Sequence, residues 1–188
     1  MEELVSSLAE GPLRQQLRQC RGLPLVATNF SISHRGAPLG YPEHTREGYL
    51  AAIRMGAGLI ECDAVLTQDQ QLVCRHSECD LHRTTNVLQT ELAGQRSEPF
   101  QPWQTNNRAT AKCCTSDFTL DQIKRLCGRT DHVNERAVSV DDYLLRKERG
   151  AYSFEGDCGT LVSHKESINL ISEAGRKFIP ELKGVGRS

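Results

Sequence analysis

Polar and apolar residues alternate along "NFSISH", Asn29 to His34, with the two-residue period of a half-buried strand. The loop "GAPLGYP" follows. Thr45 is placed to cap a helix reaching about Met55, because Tyr49, Leu50, Ile53 and Arg54 recur at helical spacing. Gly56 and Gly58 end it. "LIECDAVL" then reads as a strand, "TQDQQ" as a turn and "LVCRH" as another strand. Ahead of this unit, residues 1–24 read as a polar helix from about Glu2 to Cys20, closed by the breaker "GLP".

From Ser77 to about Asp117 the periodicity disappears. The stretch is polar and carries Pro99, Pro102, Asn106 and Asn107. A loop of that length is functional or an insertion. Helical spacing returns in "DFTLDQIKRLCG", with Thr119 as cap and Leu120, Ile123 and Leu126 on one face, and again in "SVDDYLLRKE". "SHKESINLISEAG" is a third helix, with Ser163 as cap, Glu166 at the capping-box position and Gly175 as the stop. "KFIPEL" is a last short strand.

Four strands with intervening helices predict an α/β fold with a parallel sheet. A complete eight-fold barrel takes ~250 residues, and this chain has 188. The expectation is therefore a TIM (β/α)8-type barrel truncated to roughly its first four strands. Residues 1–24 would be a helical extension, and 25–188 the N-terminal half of that barrel, with an insertion at about 77–117.

Composition changes this picture little. The chain is 38% hydrophobic and 25% charged, with a formal net charge of −1, which gives no basic excess for nucleic acid. No apolar run approaches the ~18 residues of a transmembrane helix, and the acidic N-terminus is not a signal peptide. The expected location is cytoplasmic, or periplasmic or secreted where a leader precedes the sequence. The eight cysteines fit either disulfides in an oxidising compartment or small buried hydrophobes in a reducing one.

The chemistry lies at the strand ends. Residues two apart on a strand share a face, so Glu61 and Asp63 point together, as do Cys74 and His76, and Glu181 and Lys183. In parallel α/β folds the C-terminal strand ends form the active face. His34, Glu61, Asp63, His76, Glu181 and Lys183 would then meet at one rim. Three clustered carboxylates repel unless a cation separates them, and oxygen ligands favour Mg2+ or Ca2+. Two histidines supply an acid and a base, and Arg35 and Lys183 suit an anionic substrate. That set fits phosphodiester cleavage.

These residues resemble the glycerophosphodiester phosphodiesterase family of TIM-barrel enzymes. The resemblance rests on "HRG" at 34–36, "PEHT" at 42–45, "GAGLIECDAVLTQDQQLVCRH" at 56–76, "RTTNV" at 83–87, "FTLDQIKRL" at 118–126, and "GTLVSHKESI" with "KFIPELK" in the last thirty residues or so. It implies hydrolysis of glycerophosphodiesters to glycerol 3-phosphate and an alcohol. His34 and His76 would be the acid–base pair, in an order left open. Glu61, Asp63 and Glu181 would bind the divalent cation, and Arg35 and Lys183 would face the phosphate. The partner is then a small-molecule glycerophosphodiester, joined by a missing C-terminal half or a second chain that completes the barrel.

Three other readings compete. One is a phosphodiesterase of the phospholipase D or sphingomyelinase D type. Another is a non-catalytic or partner-completed half barrel. The third is a zinc site at Cys74, His76, Cys79 and His82.

Overall fold

The structure, a computed structural model, describes residues 2–24, 26, 28–145 and 158–184. The proposed N-terminal helix is two helices, α1 (Glu2–Ser7) and α2 (Pro12–Gln19). They divide at Gly11-Pro12, where proline suits a first helical turn but cannot continue a preceding one. Among the described residues, no helix is long and apolar enough to cross a membrane.

The main sheet is built around one long strand. β1 (Thr28–Ser33) leads through a loop to α3 (Arg46–Arg54), whose first turn is capped by the Thr45 hydroxyl accepting from Gly48 N. β2 (Ala57–Leu66) follows and pairs in parallel with β1 through Ile32 with Leu59 and Ser33 with Ile60.

The segment "LVCRH" departs from expectation. Only Leu72–Cys74 forms a strand, β3, and it pairs antiparallel with the tip of β2 through Ala64–Cys74 and Leu66–Leu72. The reason is connection length. A parallel return needs a crossover of a dozen or more residues, whereas a short turn permits only a hairpin. Gln70, at φ 57°, helps close that turn. The hairpin overshoots the end of the parallel sheet and comes back, so that Arg75 N donates to Asp63 O at 3.1 Å.

The stretch read as a shapeless insertion is packed structure. It contains α4 (Leu81–Thr84), two 3-10 turns (Val87–Gln89 and Glu91–Gln95), a small hairpin of β4 (Glu98–Gln101) with β5 (Thr110–Lys112), and a third 3-10 turn at Thr115–Asp117. Its apolar residues are spaced irregularly because short turns rather than one helix deliver them inward. Leu81, Val87 and Phe118 join Ile123, Tyr143 and Leu161 in a core of their own. The Cys79–Cys114 disulfide joins the two ends of the stretch.

Beyond it lie α5 (Leu120–Lys124), with the Thr119/Gln122 capping box, and β6 (Cys127–Gly128). Next is α6 (Val140–Tyr143), a single short turn; residues 146–148 of the helix expected there lie outside the described residues. β7 (Gly159–Thr160) pairs with β6 near the Cys127–Cys158 disulfide. α7 (His164–Glu173) has the expected Ser163/Glu166 box, and Gly175 at φ +67° allows the turn out of it. β8 (Lys177–Leu182) returns parallel to β2 and sets Glu181 opposite Asp63.

The sheet order is thus β1, β2, β8, three parallel strands where four were expected, with β3 antiparallel on the tip of β2. One face of β2 packs on α3 and α7 through Tyr49, Ile60, Cys62, Cys74, Val162 and Ile171.

Candidate active site at the strand ends

Alternation along β2 turns Glu61 and Asp63 away from that core and toward the end of the sheet. Both are buried. The loop after β1 brings the remaining groups. Arg35 (φ 57°) and Gly36 (φ 88°) turn the chain sharply. A Cβ on Gly36 would lie 3.0 Å from the carbonyl carbon of Gly48, so glycine is needed where this loop meets α3. His44, also at positive φ, donates its backbone N–H to Arg35 O at 3.1 Å and closes the loop on itself.

Glu61 accepts a hydrogen bond from Arg35 N at 2.7 Å through Oε2. Its other oxygen, Oε1, is buried with no hydrogen-bond partner. Asp63 is crowded with positive charge. His44 Nε2 is 3.0 Å from Oδ2, Lys183 Nζ is 2.9 Å from Oδ1, and Arg35 Nε is 3.5 Å from Oδ2. Lys183 also pairs with Glu181 at 2.6 Å.

The two neighbouring carboxylates therefore titrate apart. Burial pushes Glu61 up to about 7; Arg35 N opposes this and the Asp63 charge adds to it. Burial also raises Asp63, but the His44 and Lys183 hydrogen bonds outweigh it and hold it well below the usual range. The buried Glu61 oxygen without a partner, beside a second carboxylate, is a donor set that a cation would satisfy. The His44 nitrogen and the oxygens of Glu61 and Asp63 lie within 4.8 Å of one another, so these residues fit a divalent cation. The two carboxylates suit a hard ion and the imidazole adds a softer donor.

His44 has no role in the sequence reading, although "PEHT" was noted. It is fully buried, with Nδ1 3.0 Å from the Tyr49 hydroxyl. Burial lowers its pKa, but the Asp63 hydrogen bond overcomes this and raises it. Glu43 and Arg75 were missed as well. Arg75 is fully buried; its Nη2 donates to Glu43 O at 2.7 Å and its Nη1 to Thr84 at 3.4 Å. Arg35 Nη1 donates to the Glu43 carboxylate at 3.1 Å. The available signal was position: Glu43 and His44 directly precede a helix cap, and Arg75 lies between two strand-end residues already singled out.

The remaining candidates sit around this cluster. His34 lies in the turn directly after β1, one residue past the strand end expected for it, and is exposed; His76 follows Arg75 beyond β3 and is half-buried. Glu181 lies on β8 beside Asp63, but its side chain is 57% exposed and turned to Lys183 rather than joined to the Glu61–Asp63–His44 group. The zinc reading fails, because Cys79 is bonded to Cys114. His82 is occupied elsewhere: its ring stacks on Tyr143, and burial together with Arg83 lowers its pKa to about 4.

Comparison with known proteins gives this arrangement a context. A "Probable glycerophosphodiester phosphodiesterase 1" of Mycobacterium tuberculosis is 37% identical over 107 residues, 54% of this chain and 39% of that protein. A glycerophosphodiester phosphodiesterase of Arabidopsis thaliana is 30% identical over 127 residues, 65% of this chain and 33% of its own length. The chain thus spans less than half of these relatives. Among solved structures, a putative glycerophosphoryl diester phosphodiesterase from Silicibacter pomeroyi superposes with a TM-score of 0.55 at 23% identity, covering 89% of this chain and 49% of that one. An Oleispira antarctica phosphodiesterase in complex with the product sn-glycerol-3-phosphate gives 0.50 at 22% identity, covering 81% and 44%. Such likenesses assign the α/β sheet to the TIM-barrel fold of those enzymes. The Glycerophosphoryl diester phosphodiesterase family profile matches residues 34–172, most of the described site included, and on that match the chain belongs to this family.

Proposed function

We propose that the chain carries the catalytic rim of a metal-dependent glycerophosphodiester phosphodiesterase, which cleaves glycerophosphodiesters to glycerol 3-phosphate and an alcohol. One observation carries the reading: two buried carboxylates of opposed pKa converge with Arg35 and Lys183 at the strand ends, one carboxylate oxygen being left without a partner. The glycerol 3-phosphate held by the Oleispira relative supports the substrate class.

Glu61 and Asp63 would hold Mg2+ or Ca2+, with His44 Nε2 in reach and Glu181 as a further ligand once it leaves Lys183. Bound there, the ion supplies charge neutralisation at the phosphoryl oxygens. Arg35 and Lys183, which pair with Asp63, would orient the phosphate. His34 and His76 serve as the proton acceptor and donor, one for the attacking hydroxyl and one for the leaving alkoxide. Tyr49 on Nδ1 fixes the His44 ring so that Nε2 faces the acids.

The exposed strands support a second part of this reading. Phe30 and Ile32 on β1 and Leu182 on β8 face solvent. Residues 25–188 would then be the first half of the catalytic domain, with residues 1–24 as an extension and 77–117 as an insertion beside the rim. Further strands, in a longer chain or a partner, would cover those side chains. Two disulfides among the described residues favour a periplasmic or secreted setting.

The test is release of glycerol 3-phosphate from glycerophosphocholine. Release that EDTA stops and Mg2+ or Ca2+ restores is expected. Release unaffected by EDTA would refute the metal-dependent mechanism. No release even from a chain extended through further strands would refute the enzymatic reading.

A further inference from the structure

Directly behind the acidic pair, on the opposite face of β2, lies a second cluster that the proposed reaction does not use. Cys62 sits between Glu61 and Asp63 in the chain but points into the core. Its Sγ is 2.6 Å from Cys74 Sγ, and both side chains are 1% exposed. His164 Nδ1 is 3.5 Å and Ser167 Oγ 3.8 Å from the Cys62 sulfur.

The geometry points to a third disulfide, Cys62–Cys74, that cross-links β2 to β3 beneath the carboxylates. Three observations carry it. The two sulfurs are nearer than unbonded sulfur atoms rest. The strands that bear them are already joined by the Ala64–Cys74 pairing and the Arg75 N to Asp63 O hydrogen bond. The apolar surroundings, Tyr49, Ile60, Val162 and Ile171, accommodate a buried cystine. A shared metal fits less well, although His164 completes a three-donor set. A tetrahedral zinc with sulfur bonds of about 2.3 Å would hold the two sulfurs about 3.8 Å apart.

The bond forms by thiol–disulfide exchange with an external disulfide such as oxidised glutathione. The thiolate of one cysteine attacks a sulfur of the oxidant, giving a mixed disulfide and one reduced thiol. The second cysteine attacks the mixed disulfide and expels the other. The protein loses two hydrogens in all, and the external disulfide becomes two thiols. Burial requires this exchange to occur before the hairpin packs against α3 and α7.

The product fixes Cys62, and with it the spacing of the flanking Glu61 and Asp63. Thiol titration of the full chain in denaturant, after folding with oxidised glutathione and without reductant, tests it. Four thiols are free beside the two established disulfides, Cys20, Cys62, Cys74 and Cys113. The cross-link leaves two. Peptide mapping is expected to join the Cys62 and Cys74 peptides, and a Cys62→Ala/Cys74→Ala variant to melt roughly 5–15 °C lower. Four free thiols, another partner for Cys62, or zinc released in proportion to thiol modification would each overturn the assignment. None of these readouts depends on turnover, so loss of the proposed activity would leave this result standing.

Discussion

β2 and β8 lie side by side in one sheet and present acids at matched positions, yet their environments differ sharply. Asp63 on β2 is buried, while Glu181, its partner in register, has a side chain 57% exposed. β2 has β1 and β8 on either side, β3 on its tip and a helical layer behind it. β8 pairs with β2 alone among the described strands. The difference teaches where preorganisation comes from. A carboxylate on the central strand has lost its water and must be compensated by named partners, so its charge state is set by structure. One on the outer strand keeps its water and is held by a single lysine. The site is rigid and electrostatically tuned on the β2 side, and open on the β8 side.

The sharpest way to break that contrast is to remove the buried pair. Glu61→Gln with Asp63→Asn is expected to abolish Mg2+ and Ca2+ binding in calorimetry. Tight binding that survives would show that the cation sits elsewhere. Glu181→Gln alone is expected to weaken binding far less.

Packing gives the next largest contrast. Phe118 is fully buried in the second core, whereas Phe30 on β1 is 96% exposed. Phe118→Ala is expected to cost about 3–5 kcal/mol in denaturant unfolding. A loss under ~1 kcal/mol would mean that the stretch after β3 is not the packed unit described here.

In a chain long enough to turn over substrate, His34→Ala or His76→Ala is expected to lower turnover by at least ~100-fold with cation binding retained. Ordinary turnover in both would remove the acid–base pair from the mechanism.

The raised pKa of Glu61 predicts a pH dependence. Binding a cation requires the ionised carboxylate, so the apparent affinity should fall about tenfold per pH unit as pH drops below about 7. The sign for stability is opposite. A carboxyl whose folded pKa lies above its usual 4.5 stabilises the ion-free fold below about 4.5, and that contribution is lost as pH rises through about 7. Ion binding measured from pH 5 to 8 checks the first statement, and ion-free melting over the same range checks the second. Flat curves would remove the Glu61 assignment.

The smallest effect belongs to the open face. Phe30→Ser is expected to change stability by no more than ~0.5 kcal/mol in this chain. In a chain whose further strands cover β1, the same change is expected to cost several times more, and equal costs would argue against such a cover.

Much of this was legible from residue order. The cap at Thr45, the Ser163/Glu166 box, the strand "KFIPEL" and the shared face of Glu61 and Asp63 are local features, set by a few adjacent residues and by backbone periodicity. The stretch from Ser77 to Asp117 was not legible, because short turns and 3-10 helices have no period to detect. Its apolar residues meet only after the chain has folded back on itself. The direction of β3 could have been read from the brevity of "TQDQQ".

What the sequence alone determined is the set of groups: histidines, paired acids and basic residues at the ends of recognisable strands, enough to name a chemistry. The tertiary structure decided their states. It buried His44 and Arg75, drove the pKa values of Glu61 and Asp63 apart, turned Glu181 toward Lys183 and set Cys62 against Cys74. The physical reason is that desolvation and Coulomb interactions depend on distance in space, and distance along the chain carries almost no information about either once the gap exceeds a turn or two.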